Sequence, residues 1–144
     1  MILVSACLLG INCRFDGTNR LNEKVLSLCQ SKEFIPVCPE QLGGLPTPRI
    51  PAEIISGDGN DVVRGLSRVV NERGEDVTEN YIKGGKETLK IAKLSSISKA
   101  ILKDRSPSCG VHFIYNNGEL KSGIGVTTSI LKDAGIVVIG DKDL

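Results

Sequence analysis

Three of the five cysteines in this 144-residue chain lie in segments suited to presenting a sulfur: Ser5-Ala6-Cys7-Leu8-Leu9-Gly10, Val37-Cys38-Pro39-Glu40 and Ser106-Pro107-Ser108-Cys109-Gly110. Each is a turn-like setting beside glycine, proline or an acid, which leaves backbone amides free around the sulfur. Three thiolates with no fourth in a similar context suit an iron–sulfur cluster with one iron left open, or a catalytic zinc with an open position. Spacing does not choose between them, because the close C-x-x-C pairs of zinc ribbons and ferredoxins are absent. Glu40, two residues after Cys38, is a candidate general acid or base, with a solvated loop acid as the plain alternative. Ser106 and Ser108 flank a proline that fixes their loop; their hydroxyls could bind a substrate or a cluster sulfide, or simply cap a turn. Cys29 falls on the apolar side of an expected helix and reads as core. Cys13, in the loop Cys13-Arg14-Phe15-Asp16-Gly17, reads as a neighbour of the site, a spare thiol or a packed side chain.

The elements that must position these residues follow from the apolar pattern. Residues 2 to 6 form a first strand that runs into Cys7. Asn22 caps a helix over about 22–31, and Phe34-Ile35-Pro36-Val37 is a short strand that delivers Cys38. From Pro39 to Pro51, four prolines and Gly43-Gly44 predict a shaped loop with no regular element. A small hairpin is expected between Ile54-Ile55-Ser56 and Val69-Val70-Asn71. A long helix runs from Thr78 to about Leu94 with Tyr81, Ile82, Leu89, Ile91, Ala92 and Leu94 on its apolar face, although Gly84-Gly85 weaken it. Ala100-Ile101-Leu102 is a strand leading to the third cysteine segment, and Asn116-Asn117-Gly118 turns a hairpin. A helix over 126–134, closed by Gly135, and a strand over 136–139 complete the chain. Alternating strands and helices predict an α/β, Rossmann-like three-layer fold with a mostly parallel sheet and a small hairpin insertion, in one domain spanning 1–144. The three cysteines would then meet beyond the carboxyl ends of the strands, where such sheets collect ligands.

Composition narrows the function classes. Hydrophobic residues make up 40% and charged residues 24%, the balance of a globular chain and not of a disordered one. No apolar run is long enough to span a bilayer, and Met1-Ile2-Leu3-Val4 reads as a strand without the charged n-region of a signal peptide. The expected location is the cytoplasm, with no membrane partner. A formal charge of +1 gives no overall footprint for nucleic acid, so a small molecule is favoured over RNA. In a reducing compartment, five cysteines point to metal or thiol chemistry and away from disulfides. Arg49 with Glu53, and Arg14 with Asp16, are expected structural ion pairs. Gly123-Ile124-Gly125 before a helix could bind an anion, but close packing of strand on helix is the better account. His112 is expected to be packed or solvated.

Taken together, Ser5-Ala6-Cys7-Leu8-Leu9-Gly10 with Cys13-Arg14-Phe15-Asp16-Gly17, Cys38-Pro39-Glu40 with Gly43-Gly44-Leu45-Pro46-Thr47-Pro48-Arg49 and Pro51-Ala52-Glu53, and Ser106-Pro107-Ser108-Cys109-Gly110 resemble the thiouracil desulfurase family, also known as domain of unknown function 523. The resemblance runs nearly end to end. It implies a [4Fe-4S] cluster on Cys7, Cys38 and Cys109, with a free iron to take sulfur from a thiolated base. The implied reaction is non-redox desulfuration of 2- or 4-thiouracil to uracil and hydrosulfide, with Glu40 and Ser106 as catalytic residues and Ser108 as a second, substrate-binding serine. Such a cluster needs shielding from oxygen, so protein purified in air is expected to lack it. A related branch acts on thiouridine in transfer RNA, usually with a further domain. Phe15 departs from the family, in which a tyrosine is usual. The alternative from a different class is a non-catalytic module that uses a cluster or a zinc ion to hold its loops. The pattern leaves the oligomeric state open.

Overall fold

Short apolar runs, each bounded by a turn residue, make the strands, and the longer amphipathic stretches between them make the helices. The computed structural model describes residues 1–144. In chain order the elements are β1 (Ile2–Ser5), α1 (Glu23–Ser31), β2 (Phe34–Val37), α2 (Pro39–Leu42), β3 (Ala52–Ile54), α3 (Gly59–Val63), β4 (Val69–Asn71), α4 (Thr78–Leu94), β5 (Lys99–Leu102), β6 (Phe113–Asn116), β7 (Glu119–Ser122), α5 (Val126–Asp133) and β8 (Val137–Gly140). The central sheet is parallel throughout, in the order β2-β1-β5-β8. Side-chain alternation sorts it into three layers. Leu3, Ala100, Leu102 and Val138 pack with Ala92 of α4 and Leu131 of α5, while Ile2, Val4 and Ile101 pack with Val25 and Cys29 of α1. Covering both faces is what allows a parallel sheet with almost no polar alternation. Cys29 takes the core place its helical position predicts.

After β2 the chain leaves one edge and returns on the far side of β1 to form β5. That reversal opens a crevice between loops at the carboxyl ends of β1 and β5, the usual ligand position of open α/β sheets. Local chemistry sets the elements around it. The Asn22 side chain accepts the amides of Lys24 and Val25 at 3.0 and 3.2 Å, capping α1 as the sequence suggests. Asn117 and Gly118, both at positive φ, make the turn between β6 and β7.

Two regions differ from expectation. Pro39 to Pro51 is not wholly irregular: Pro39 occupies the first turn of the short helix α2, where proline's fixed φ and missing amide are tolerated. The expected hairpin is also wider, since β3 and β4 pair antiparallel but enclose α3, whose N-terminus is held by a capping box between Asp58 and Asp61. Gly84-Gly85, which weaken α4 by propensity, are there for packing. A Cβ on Gly84 would lie 2.0 Å from the Pro39 carbonyl oxygen, and one on Gly43 2.0 Å from that of Asn80. The backbones of α2 and α4 therefore touch, and this contact seats the helix that carries Glu40.

Candidate functional site

The carboxyl ends of the strands open into a cavity of about 950 Å³. Cys7 reaches it from a 3-10 turn, Ala6–Leu9, directly after β1. Cys38 reaches it from the cap position of α2, directly after β2. Cys109 reaches it from the loop after β5. All three line the cavity, and none is in a disulfide. No three histidine, cysteine, aspartate or glutamate side chains converge closely enough to hold a single ion. Three separate thiols around one space suit a multi-iron cluster, in which each thiolate binds its own iron, better than they suit a mononuclear zinc.

Cys13 belongs to the same wall. It is 2% exposed and lines the cavity, and the Cys38 sulfur lies 3.6 Å from its carbonyl oxygen. A hydrogen bond from Cys38 pulls the Cys13 thiol down, but its bond to Cys7 and burial outweigh that and push it up to about 11. The Cys38 thiol is raised by its bond to Cys13 and by burial. Burial, with Glu40 and Cys38 nearby, lifts Cys109 well above an ordinary thiol. In the absence of metal these thiols hold their protons at neutral pH, so a metal must displace them.

Glu40, in the first turn of α2, also faces the cavity. Its partner is Arg49, with Nη2 3.4 Å from Oε2 and both side chains largely buried. This corrects the expected Arg49–Glu53 pair: the proline-rich loop folds back and returns Arg49 to the start of its own segment. Arg49 is fixed there by Nη1 contacts to the Pro46 carbonyl at 3.3 Å and Thr47 Oγ1 at 3.2 Å, and by its amide, which donates to Phe15 O at 2.8 Å. Glu53 instead accepts the Gly118 amide at 3.1 Å, tying the tip of the β6–β7 hairpin to the cavity rim. Arg14 and Asp16 are 3.8 Å apart, as expected, and the Arg14 guanidinium lies over the Phe15 ring at 5.4 Å.

Ser106 lines the cavity, and its oxygen accepts the amides of Ser108 and Cys109, both at 3.1 Å. With its acceptor side occupied, its O–H is left to donate. Ser108 is placed differently. It is fully buried and bonded to Thr127 Oγ1 at 2.8 Å, away from the cavity lining. Ser108, expected as a substrate contact, makes a loop-to-helix tie in this structure. The amides of Val126 and Thr127 at the start of α5 are likewise taken, by the carbonyls of Pro107 and Ser108. A Cβ on Gly125 would fall 2.3 Å from Ser108 O, so this glycine pair serves packing. His112 stands outside the cavity with Nε2 2.9 Å from the Asp143 carboxylate.

Sequence reasoning missed Asp104. Its Oδ1 accepts the amides of Arg105, Val111, His112 and Phe113 at 2.8–3.1 Å, so one carboxylate gathers both ends of the loop that carries Cys109. Burial works against its charge, yet the four amides hold its carboxyl below the ordinary range. A lone acid after a strand signals some capping of amides, but not three returning from seven to nine residues away. Tyr81 was read only as part of an apolar helix face; the structure sets it in the cavity wall at 4% exposed.

Comparison with known proteins places the chain in a family. The model of the 2-thiouracil desulfurase family matches residues 2–143. This chain belongs to that family. A solved desulfurase relative, the [4Fe-4S]-dependent thiouracil desulfidase TudS (DUF523Vcz), is 38% identical, superimposes with a TM-score of 0.87, and is matched over 99% of this chain and 91% of that one. An uncharacterised protein, YbbK of Bacillus subtilis (strain 168), is 50% identical over 147 residues, covering all of this chain and 97% of that protein. The chain is a desulfurase-like enzyme with the α/β fold of that relative, and no helix in it is long and apolar enough to cross a membrane.

Proposed function

We propose that this desulfurase hydrolyses a thiolated pyrimidine, 2- or 4-thiouracil, to uracil and hydrosulfide without net redox change, using a [4Fe-4S] cluster held by Cys7, Cys38 and Cys109. The observation that carries the reading is the meeting of three unpaired thiols with Glu40 and Ser106 around one cavity. A cluster held by three thiolates supplies, when bound, an iron free to draw on a soft thiocarbonyl sulfur and polarise the carbon bearing it. The chain's own groups do the rest. Glu40, anchored through Oε2 by Arg49, takes a proton from the attacking water and returns it to the departing sulfur, which leaves as hydrosulfide while the new carbonyl oxygen gives up its remaining proton and both ring nitrogens keep their hydrogens. Ser106 donates its remaining hydrogen to orient the base. The buried walls limit bulk water to the reacting molecule.

The volume exceeds what a single pyrimidine needs, which leaves room for the cluster beside it. The test is anaerobic reconstitution with iron and sulfide, followed by a screen of 2-thiouracil, 4-thiouracil and thiolated transfer RNA. The reading expects uracil from a free base. A protein without Cys7, Cys38 and Cys109 that still binds a full cluster would sink the ligand assignment.

A further inference from the structure

Tyr81 brings a polar group to the cavity that the protein leaves without a partner. Its ring packs among Ile54, Val69, Ile114, Val126 and Ile130, which locks its direction. Its hydroxyl lies in the field of Glu40, Arg49, Cys109 and Cys38 but makes no hydrogen bond to any of them. The neighbouring polar groups are engaged: Glu40 with Arg49, Ser106 with two amides, Ser108 with Thr127. Arg14 Nε is the single sealed side-chain nitrogen or oxygen that lacks a hydrogen-bond partner. The Tyr81 oxygen, also unpartnered, therefore opens onto the cavity. A phenylalanine would fill the same apolar slot without the desolvation cost of an unpaired hydroxyl.

We propose that Tyr81 is a substrate-binding residue, its O–H donating a hydrogen bond to the pyrimidine carbonyl oxygen that the reaction leaves untouched. This rests on the desulfuration reading. A protonated phenol needs an acceptor. In the dioxo-type tautomer of thiouracil both ring nitrogens carry hydrogen, and the sulfur is the atom being removed, so the exocyclic oxygen is the acceptor that remains.

The test is Tyr81→Phe, which keeps the ring and removes only the hydroxyl. Cluster-free Y81F should melt at or above the wild-type temperature; a clear fall would mean that the hydroxyl is bonded within the protein, and would overturn the proposal. Reconstituted Y81F should match wild type in iron content and visible absorption. Its kcat/KM for 2-thiouracil should fall about tenfold, chiefly through KM. For pyrimidine-2-thione, which has no such carbonyl, the two proteins should agree. An unchanged KM, an equal penalty with pyrimidine-2-thione, or a shifted cluster spectrum without a KM effect would each overturn it. Wild-type turnover in the same assay tests the desulfuration reading separately. Should wild type not turn over 2-thiouracil, uracil binding to both reconstituted proteins decides the Tyr81 role. About tenfold weaker binding to Y81F supports it, and an equal Kd or no binding to either refutes it.

Discussion

Replacing Asp104 with alanine should destabilise the protein by about 3–5 kcal/mol and loosen the loop that carries Cys109. The magnitude follows from what the carboxylate holds. Four amides converge on Oδ1, and a hydrogen bond to a charged group contributes about 1.5–3 kcal/mol. The contributions do not add fully, because only the Val111 bond is wholly buried among the four and water can reach the other amides once the side chain is gone. Unfolding entropy of roughly 2.1 cal/mol/K per residue, about 0.3 kcal/mol/K for the whole chain, makes the loss a melting-temperature drop of about 10–16 °C. Circular dichroism melts of the cluster-free protein measure it. Asp104→Asn, which keeps the shape but not the charge, adds a pH signature. Because the folded carboxyl is held below its ordinary value, its stabilisation is fully present above the unfolded pKa near 3.9 and disappears as pH falls through the folded pKa. The gap between wild type and D104N should therefore be widest at neutral pH and shrink below about pH 4. A loss under about 1 kcal/mol for D104A, or a gap that widens on acidification, would refute the role of this carboxylate.

The other predictions concern the reacting acid and the helix that carries it. Glu40→Gln should retain iron content and cluster absorption while lowering turnover by about 10²–10⁴-fold; unchanged turnover would remove Glu40 from the chemistry. Gly84→Ala sets propensity against packing. Alanine favours a helix by about 1 kcal/mol, but here its methyl would meet a backbone carbonyl at 2.0 Å. We expect a net destabilisation of about 2 kcal/mol in urea denaturation together with weakened turnover, since α2 must move. Cys29→Ala, packed in the same core layer as Cys7 and Cys13 but outside the cavity lining, should lower stability by about 1–2 kcal/mol and leave the iron content of reconstituted protein unchanged.

The strand ends that deliver Cys7 and Cys38 were legible because a β-favouring run followed by a turn residue is a local pattern. The parallel sheet was legible because strands and helices alternate. What escaped the sequence is tertiary. Arg49 was matched with Glu53, four residues on, whereas the loop returns it to Glu40, nine residues back. Ser106 and Ser108 are equivalent as neighbours of Pro107, yet one faces the cavity and the other ties to Thr127. Gly84-Gly85 counted against a helix because propensity scales contain no partner, and the partners are the α2 backbone for Gly84 and Ile130 of α5 for Gly85. Tyr81 fits an apolar face by its ring, and only the packed structure shows where its hydroxyl opens.

The most direct test of the account is a single anaerobic turnover measurement in water enriched in oxygen-18. Reconstituted protein should convert thiouracil to uracil bearing one labelled oxygen, releasing one hydrosulfide per uracil with no electron donor added. Uracil without the label, or a requirement for added reductant, would contradict the hydrolytic, non-redox reaction assigned to this site.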